Sequence, residues 1–339
     1  MRVEPFSLPL SRPLTTATGS IDSRDGFTIH VEIDGVEGVG EATPLSGWTE
    51  SLTECEAALD GVDDPVTAVE SDALDPAPAA RHGVSLAVAD ARARAAGEPL
   101  YRYLGGNEHI DRVPVNATVG DGAPTETAEA AEVAVDGGYS CVKVKVGARS
   151  LAVDVERLEA VRERCPSVEV RCDANGAWTR RTAERAFSRF ESLDVSFVEQ
   201  PLAADELRAN AALRGGSVEV ALDEGLLEHG IDAVIDAEAA DVVICKPMAL
   251  GGVDRARSVA RRASEAGLDV IVTTTIDGAI ARAAAVHLAA SLPNVRACGL
   301  ATADRLAVDL CEGVAPVRAG ATVVPQGKGN IPPSTMCRE

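Results

Sequence analysis

Aromatic residues make up only 3% of the 339 positions, and no run of 18 uncharged apolar residues occurs. A membrane-crossing helix needs an apolar stretch of about that length, so none is expected. The N-terminus has no basic stretch leading into an apolar core, so a secretory signal is not expected either and the cytoplasm is the default location. Basic charge is scarce: 32 Lys and Arg stand against 53 Asp and Glu, a formal net charge of −21. Nucleic-acid binding needs a basic patch to displace counterions, so that class is set aside. The eight cysteines include no CxxC pair. Several sit inside apolar runs and are expected to be small buried hydrophobes in a reducing compartment, neither zinc ligands nor a disulfide framework. A GxGxxG turn is also missing, and with it the usual mark of a dinucleotide-binding open sheet.

What is present is enough apolar residue, 46%, to build a large core and exclude general disorder. The acidic residues are spread through helices and loops rather than gathered in a tail. With abundant alanine they resemble a solvated, halophile-type acidic surface, which speaks to environment and not to chemistry. From about Ala117 onward, short β-like runs alternate with amphipathic segments: "VNATV", "CVKVKV", "VEVRCDAN", "VSFVEQP", "VEVALDE", "DVVICKP", "DVIVTTT" and "RACGLAT". Eight alternations at roughly 25-residue spacing are the rhythm of a (β/α)8 barrel. A doubly wound open sheet is the alternative that the rhythm leaves. The first hundred or so residues differ. "GFTIHVEIDGVEGVGEATP" predicts a hairpin turning at Asp34-Gly35, and helical segments follow it. The tail "GATVVPQGKGNIPP" is strand-like, then irregular, and is expected to return to this N-terminal α+β piece.

The run Cys141–Val146 puts Lys143 and Lys145 on one face of a strand and three valines on the other. A lysine on a buried face costs several kcal/mol unless paired or neutralised. Read in order, the strand ends carry Lys145, Asp173, Glu199, Asp223 and Lys246, separated by 28, 26, 24 and 23 residues. In a barrel these groups would all enter one mouth. Singly, each has an ordinary reading: a helix-capping aspartate, a strand-ending glutamate, a surface Lys-Pro turn, a lysine-guarded edge strand. Their coincidence at successive strand ends favours chemistry. Three carboxylates without His or Cys suit a hard cation, Mg²⁺ or Mn²⁺ rather than zinc. Lysines flanking them suit removal of a proton next to a carboxylate.

These motifs together resemble the enolase superfamily, in particular its muconate-lactonizing subgroup: "KVK", "DAN", "EQP", "DE" and "CKP" at the ends of strands two to six. The resemblance implies an α/β fold, a (β/α)7β TIM-like barrel over residues 113–311. An N-terminal α+β capping domain would span 1–112, completed by the segment 312–339. It implies Mg²⁺ (or Mn²⁺) on Asp173, Glu199 and Asp223, with Asn175 and Glu224 as polar groups behind them. Lys145 would be the base, Lys143 beside it would lower its pKa, and Lys246 would face it across the substrate. The loops 15–19 and 47–51 would close over the site, bringing Thr16 and Trp48.

Within the subgroup, "ACGLATADRLAVDL" and the opening "PLSRPLTTATG…EGVGEATPLSGW" resemble the o-succinylbenzoate synthases. These dehydrate 2-succinyl-6-hydroxy-2,4-cyclohexadiene-1-carboxylate in menaquinone biosynthesis. Thr274, Thr275, Gly299 and Leu300 would then contact substrate. Dipeptide epimerase, N-acylamino acid racemase and muconate cycloisomerase use the same lysines and metal. The eighth strand lacks the acids an epimerase uses to hold an ammonium, its first being Asp304. A reading from another class is an idle barrel with a structural cation site. The expected partner is a small carboxylate, with no nucleic acid and no membrane; homo-oligomerisation stays open.

Overall fold

The computed structural model describes residues 1–16 and 19–332, Thr15 and Thr16 by their backbone alone. Three long strands form an antiparallel sheet in chain order: β1 (Arg2–Thr16), β2 (Gly19–Ile33) and β3 (Val36–Ala42). The β2–β3 hairpin turns at Asp34 (φ 51°) and Gly35 (φ 78°), both left-handed, as a two-residue hairpin turn of matching twist requires. Alternation along β2 buries Phe27, Ile29 and Val31 against three helices, α1 (Leu52–Asp60), α2 (Pro65–Glu70) and α3 (Pro78–Ala96). Helix α3 lies directly on β3. A Cβ on Gly38 would stand 2.1 Å from the Ala87 carbonyl oxygen, and one on Gly40 1.9 Å from that of Gly83. These glycines are what admit the helix backbone.

A short helix α4 (Leu100–Tyr103) and strand β4 (Arg112–Pro114) lead into the barrel. Its strands are β5 (Ala117–Val119), β6 (Cys141–Lys145), β7 (Glu169–Asp173), β8 (Val195–Glu199), β9 (Glu219–Leu222), β10 (Val242–Cys245) and β11 (Asp269–Val272). They pair in sequence order, all parallel. After them come α5 (Pro124–Asp136), α6 (Leu151–Arg164), α7 (Arg180–Glu191), α8 (Leu207–Ala211), α9 (Glu224–Asp236), α10 (Val253–Glu265) and α11 (Ala279–Ser291). Residues 297–299 close the ring. The Cys298 N–H donates to Pro114 O (2.8 Å), its carbonyl accepts from Asn116 (3.0 Å), and the Gly299 N–H donates to Val272 O (2.9 Å). The result is the expected (β/α)7β TIM-like barrel with an N-terminal α+β cap, since among the described residues this eighth strand is followed by no further α-helix.

The pleat sorts the barrel's residues. Val142, Val144, Val170, Val220 and Val243 point outward into one apolar cluster with the helices. The inner face is layered: Glu169, Glu219 and Asp269 sit at the N-terminal end under Arg296, with Phe197, Ala221, Ile244 and Ile271 above them. The lysines and carboxylates of the strand ends come last. The tail forms β12 (Val317–Arg318) and β13 (Ala321–Val323). Strand β13 pairs with β4 rather than with the cap sheet. The chain then reaches the cap, where Gly329 O accepts from Leu100 (2.8 Å) and the Asn330 N–H donates to Asp90 (2.6 Å).

Six cysteines are free and buried as expected; Cys311 departs from that expectation, because it is disulfide-bonded. Among the described residues no helix is long and apolar enough to cross a membrane.

Candidate active site

Each polar group at the barrel mouth is set by the strand that ends beneath it. On β6 the lysine side chains point inward, and helix α6 fixes the strand's end from behind. The fully buried Arg157 donates to Lys145 O (2.7 Å), and Asp154 accepts from the Gly147 N–H (2.8 Å). Lys143 Nζ lies 3.0 and 2.9 Å from the two oxygens of Glu199 and 3.1 Å from Asp173 Oδ2. Lys145 Nζ shares that Asp173 oxygen at 2.7 Å and donates to Asn175 Oδ1 at 2.6 Å. Asn175, left-handed at φ 45°, passes a hydrogen bond of 3.3 Å on to Glu224. Across the mouth Lys246 Nζ pairs with Asp223 Oδ2 and lies 3.2 Å from the centroid of the Trp48 ring, a cation–π contact. Of the three lysine side chains Lys145 is the most open, at 38% against 14% for Lys143 and 10% for Lys246.

The three carboxylates are nearly inaccessible: 1% exposure for Asp173, 3% for Glu199 and 2% for Asp223. Burial pushes Glu199 up to about 7, helped by the charge of Asp173 and opposed by Lys143. Burial likewise raises Asp223 to about 6 against the pull of Lys246. At Asp173 burial acts the same way, but Lys143 and Lys145 outweigh it and hold the carboxyl below the ordinary aspartate range. Burial opposes the charge on Lys143 too, yet Asp173 and Glu199 raise it above the ordinary lysine range. Lys143 is a locked ammonium.

Among the described residues no three acids converge as a cation cage, because ammonium groups stand between them. The donor set nevertheless fits a divalent ion. Asp223 Oδ1 and Glu224 Oε2 are buried without a partner. Two of the three carboxylates are also pushed toward protonation, so the lysines alone leave their negative charge undercompensated. All-oxygen ligands are those of a hard cation.

With this geometry in hand, comparison with known proteins is decisive at the level of family. Residues 126–330 match the family model described as "Enolase C-terminal domain-like", and residues 2–91 match "MenC, N-terminal domain". The chain belongs to the enolase superfamily. It is 43% identical over 221 residues to an o-succinylbenzoate synthase of Thermobifida fusca, covering 61% of this chain and 67% of that one. The solved L-Ala-D/L-Glu epimerase from Bacillus subtilis superposes with a TM-score of 0.90 at 26% identity, covering 99% of this chain and 98% of that one. A dipeptide epimerase from Enterococcus faecalis, complexed with Mg and the dipeptide L-Leu-L-Tyr, superposes at 0.86 with 25% identity and 97% coverage of both. Enolase-superfamily membership and the Mg of such neighbours support a divalent metal and a small-molecule substrate here.

The rest of this enolase-superfamily mouth divides the expected substrate contacts. Thr274 Oγ1 lies 3.0 Å from Thr302 Oγ1, joining the seventh and eighth strand ends. Thr275 turns its hydroxyl to Asp277, and both are buried. Gly299 is obligatory, since a Cβ there would meet Thr273 Oγ1 at 2.4 Å. Leu300 is 1% exposed and packs in the core with Leu306 and Leu310. The side chain of Thr16 and most of the 15–19 loop lie outside the described residues. Sequence reasoning passed over Gln200, the middle of "EQP". Buried and left-handed (φ 42°), it accepts from the N–H groups of Asp223 (3.1 Å) and Gly225 (2.9 Å) and thereby aims the next strand end. Its neighbours Glu199 and Asp223 were the signal available.

Proposed function

We propose that the chain is an o-succinylbenzoate synthase, a carbon–oxygen lyase of menaquinone biosynthesis acting on 2-succinyl-6-hydroxy-2,4-cyclohexadiene-1-carboxylate. The observation that carries this reading is the uncharged end of the eighth strand. The eighth strand, which closes the ring between the first and seventh, ends in Gly299, the core residue Leu300, Ala301 and Thr302, whose hydroxyl meets that of Thr274. Asp304, the first acid beyond it, is exposed and lines a cavity of about 550 Å³ with Ala301, Tyr139 and Arg282. Among the described residues the end of this strand therefore offers no carboxylate to a substrate ammonium, while Lys145 and Lys246 offer cations to a substrate carboxylate. The synthase relatives support the reading from the sequence side.

In the mechanism Asp173, Glu199 and Asp223 would hold Mg²⁺ (Mn²⁺ being an alternative), with Asn175 and Glu224 orienting them. Bound there, the ion would supply positive charge for substrate carboxylate oxygens on which negative charge develops. Lys145 takes the proton from the ring carbon that bears the carboxylate, and that C–H electron pair moves into an enediolate. The pair then returns to form the ring double bond as the adjacent C–O bond breaks. The proton on Lys145 leaves with the hydroxide as water, and the ring becomes aromatic. Lys246, its ammonium sandwiched between Asp223 and Trp48, stabilises the enediolate from the other side. Lys143 stays charged and holds Asp173 beside Lys145.

A second reading, epimerisation or racemisation of a dipeptide or N-acylamino acid, uses the same groups, as does cycloisomerisation of muconate. The test is turnover of the cyclohexadiene substrate beside L-Ala-L-Glu, with and without MgCl₂, together with α-proton exchange in D₂O. Dehydration is expected, and Lys145→Ala should abolish both dehydration and exchange, a loss of at least about 10³-fold for removal of the proton-transfer group. Epimerisation without dehydration would replace the synthase by the second reading. Absence of exchange with every carboxylate, unchanged in Lys145→Ala, would mean an idle barrel.

A further inference from the structure

Arg24 lies in β2, at the N-terminal side of the cap, and is 2% exposed. A buried guanidinium ordinarily pairs with a carboxylate, and the charges of Asp277, Glu41 and Asp25 do act on Arg24. This one spends its hydrogen bonds on three backbone carbonyls: Nη2 to Thr43 O (2.8 Å), Nη1 to Pro44 O (3.0 Å) and Nε to Ile276 O (3.2 Å). Thr43 and Pro44 begin the loop that carries Trp48 over Lys246. Ile276 belongs to the turn after β11 that carries Thr274, whose Oγ1 accepts from the Ile276 N–H (3.3 Å) and meets Thr302. One side chain thus ties the loop above Lys246 to the Thr274–Thr302 hydroxyl pair at the end of the neighbouring strand.

The turn it holds is strained. Ile276 sits at φ +64°, the one β-branched residue with positive φ among the described residues. Such a conformation costs about 1–3 kcal/mol and persists only where its surroundings impose it. Those surroundings are cap groups. Arg24 takes the Ile276 carbonyl, and Glu41 of β3 takes the N–H groups of Gly278 (2.6 Å) and Ala281 (2.8 Å) just beyond it.

We infer that Arg24 is a positioning residue for the reaction: it clamps Ile276 in its strained turn and so holds the Trp48 loop and the Thr274–Thr302 wall at their working separation. The inference rests on the mouth being the seat of proton abstraction, and its test includes a readout independent of that. The chain has two tryptophans, so in a Trp178→Phe background acrylamide quenching reports on Trp48 alone. Arg24→Lys, which cannot span three carbonyls, should make Trp48 more quenchable. Displacement by about 1 Å costs on the order of 10²-fold in rate, so Arg24→Met should lower kcat/KM by about that factor, with kcat falling as well as KM rising. Ile276→Gly removes the strain at φ +64° and should restore about tenfold of the loss in the Arg24→Met background. If Arg24→Met does not fold, Arg24→Lys with and without Ile276→Gly provides the same comparison. Wild-type kcat/KM and wild-type Trp48 quenching in the Arg24 variants, with only a lower melting temperature, would overturn the inference. If no substrate is turned over by the parent chain, the proposed function fails, and quenching that changes in Arg24→Lys still sustains the clamp while quenching that does not change removes it.

Discussion

The chain contains four lysines, at 143, 145, 246 and 328, against 28 arginines, and three of the four meet at one barrel mouth. Arginine serves wherever a permanently charged fork suffices, whereas an amine can give up its proton. The carboxylates between the lysines make a prediction about protons. A divalent ion requires Glu199 and Asp223 ionised, yet burial holds them near 7 and 6 in the ion-free protein. Binding must then expel protons below pH 7 and expel few well above it. At pH 6.5 MgCl₂ binding should release about one proton, and at pH 8.5 close to none. Calorimetric titration in two buffers of different ionisation enthalpy measures this directly; equal proton counts at the two pH values would contradict the burial argument. Tightening of binding as pH rises from 6 to 8 is the companion result.

At the scale of elements, the barrel was legible because each strand is a short apolar run whose end is marked by a polar residue, and eight such runs recur in register. The cap was legible only where local chemistry spoke, as at Asp34-Gly35. Strand β1 was passed over. Pro5, Pro9 and Pro13 interrupt it, and prolines are tolerated there because β1 is an edge of its sheet. The groups that dock cap on barrel were illegible for another reason: Arg24 and Ile276 are 252 positions apart, Glu41 and Gly278 237. Nothing local marks such partners. Glu41 carries the prediction of this scale. Fully buried, with Asp277 near, it is pushed from its ordinary 4.5 up to about 7, although its hydrogen bonds to Thr43, Ala281 and Gly278 oppose the shift. Between those values the folded chain holds a proton that the unfolded chain has lost. Its contribution to stability therefore falls as pH rises from 4.5 through 7 and levels off above. Glu41→Gln, uncharged at every pH, should flatten that part of the profile of denaturation midpoint against pH. A slope identical to the parent's would remove Glu41 as its source.

At the scale of the whole molecule, two charge patterns pull in opposite directions when salt is added. Arg296 bridges Glu169, Glu219 and Asp269 at 3.1, 2.7 and 3.1 Å and closes the N-terminal end of the barrel. Its side chain is 24% exposed, so screening weakens this cluster. Against it stands a net charge of −21, which repels itself in the compact state and relaxes on unfolding. Partly exposed bridges contribute on the order of 1 kcal/mol each, and the cluster is one site, while the repulsion is summed over the whole surface. The surface term should win. Raising KCl from about 0.05 to 0.5 M, which shortens the Debye length from about 14 to about 4 Å, should therefore raise the melting temperature and then level off. An equal gain from sucrose at matched osmolality would point to solvent exclusion instead, and a fall in melting temperature would show the ion-pair cluster dominating. In Arg296→Met the cluster no longer exists to be screened, so the rise with salt should be steeper than in the parent from a lower starting point.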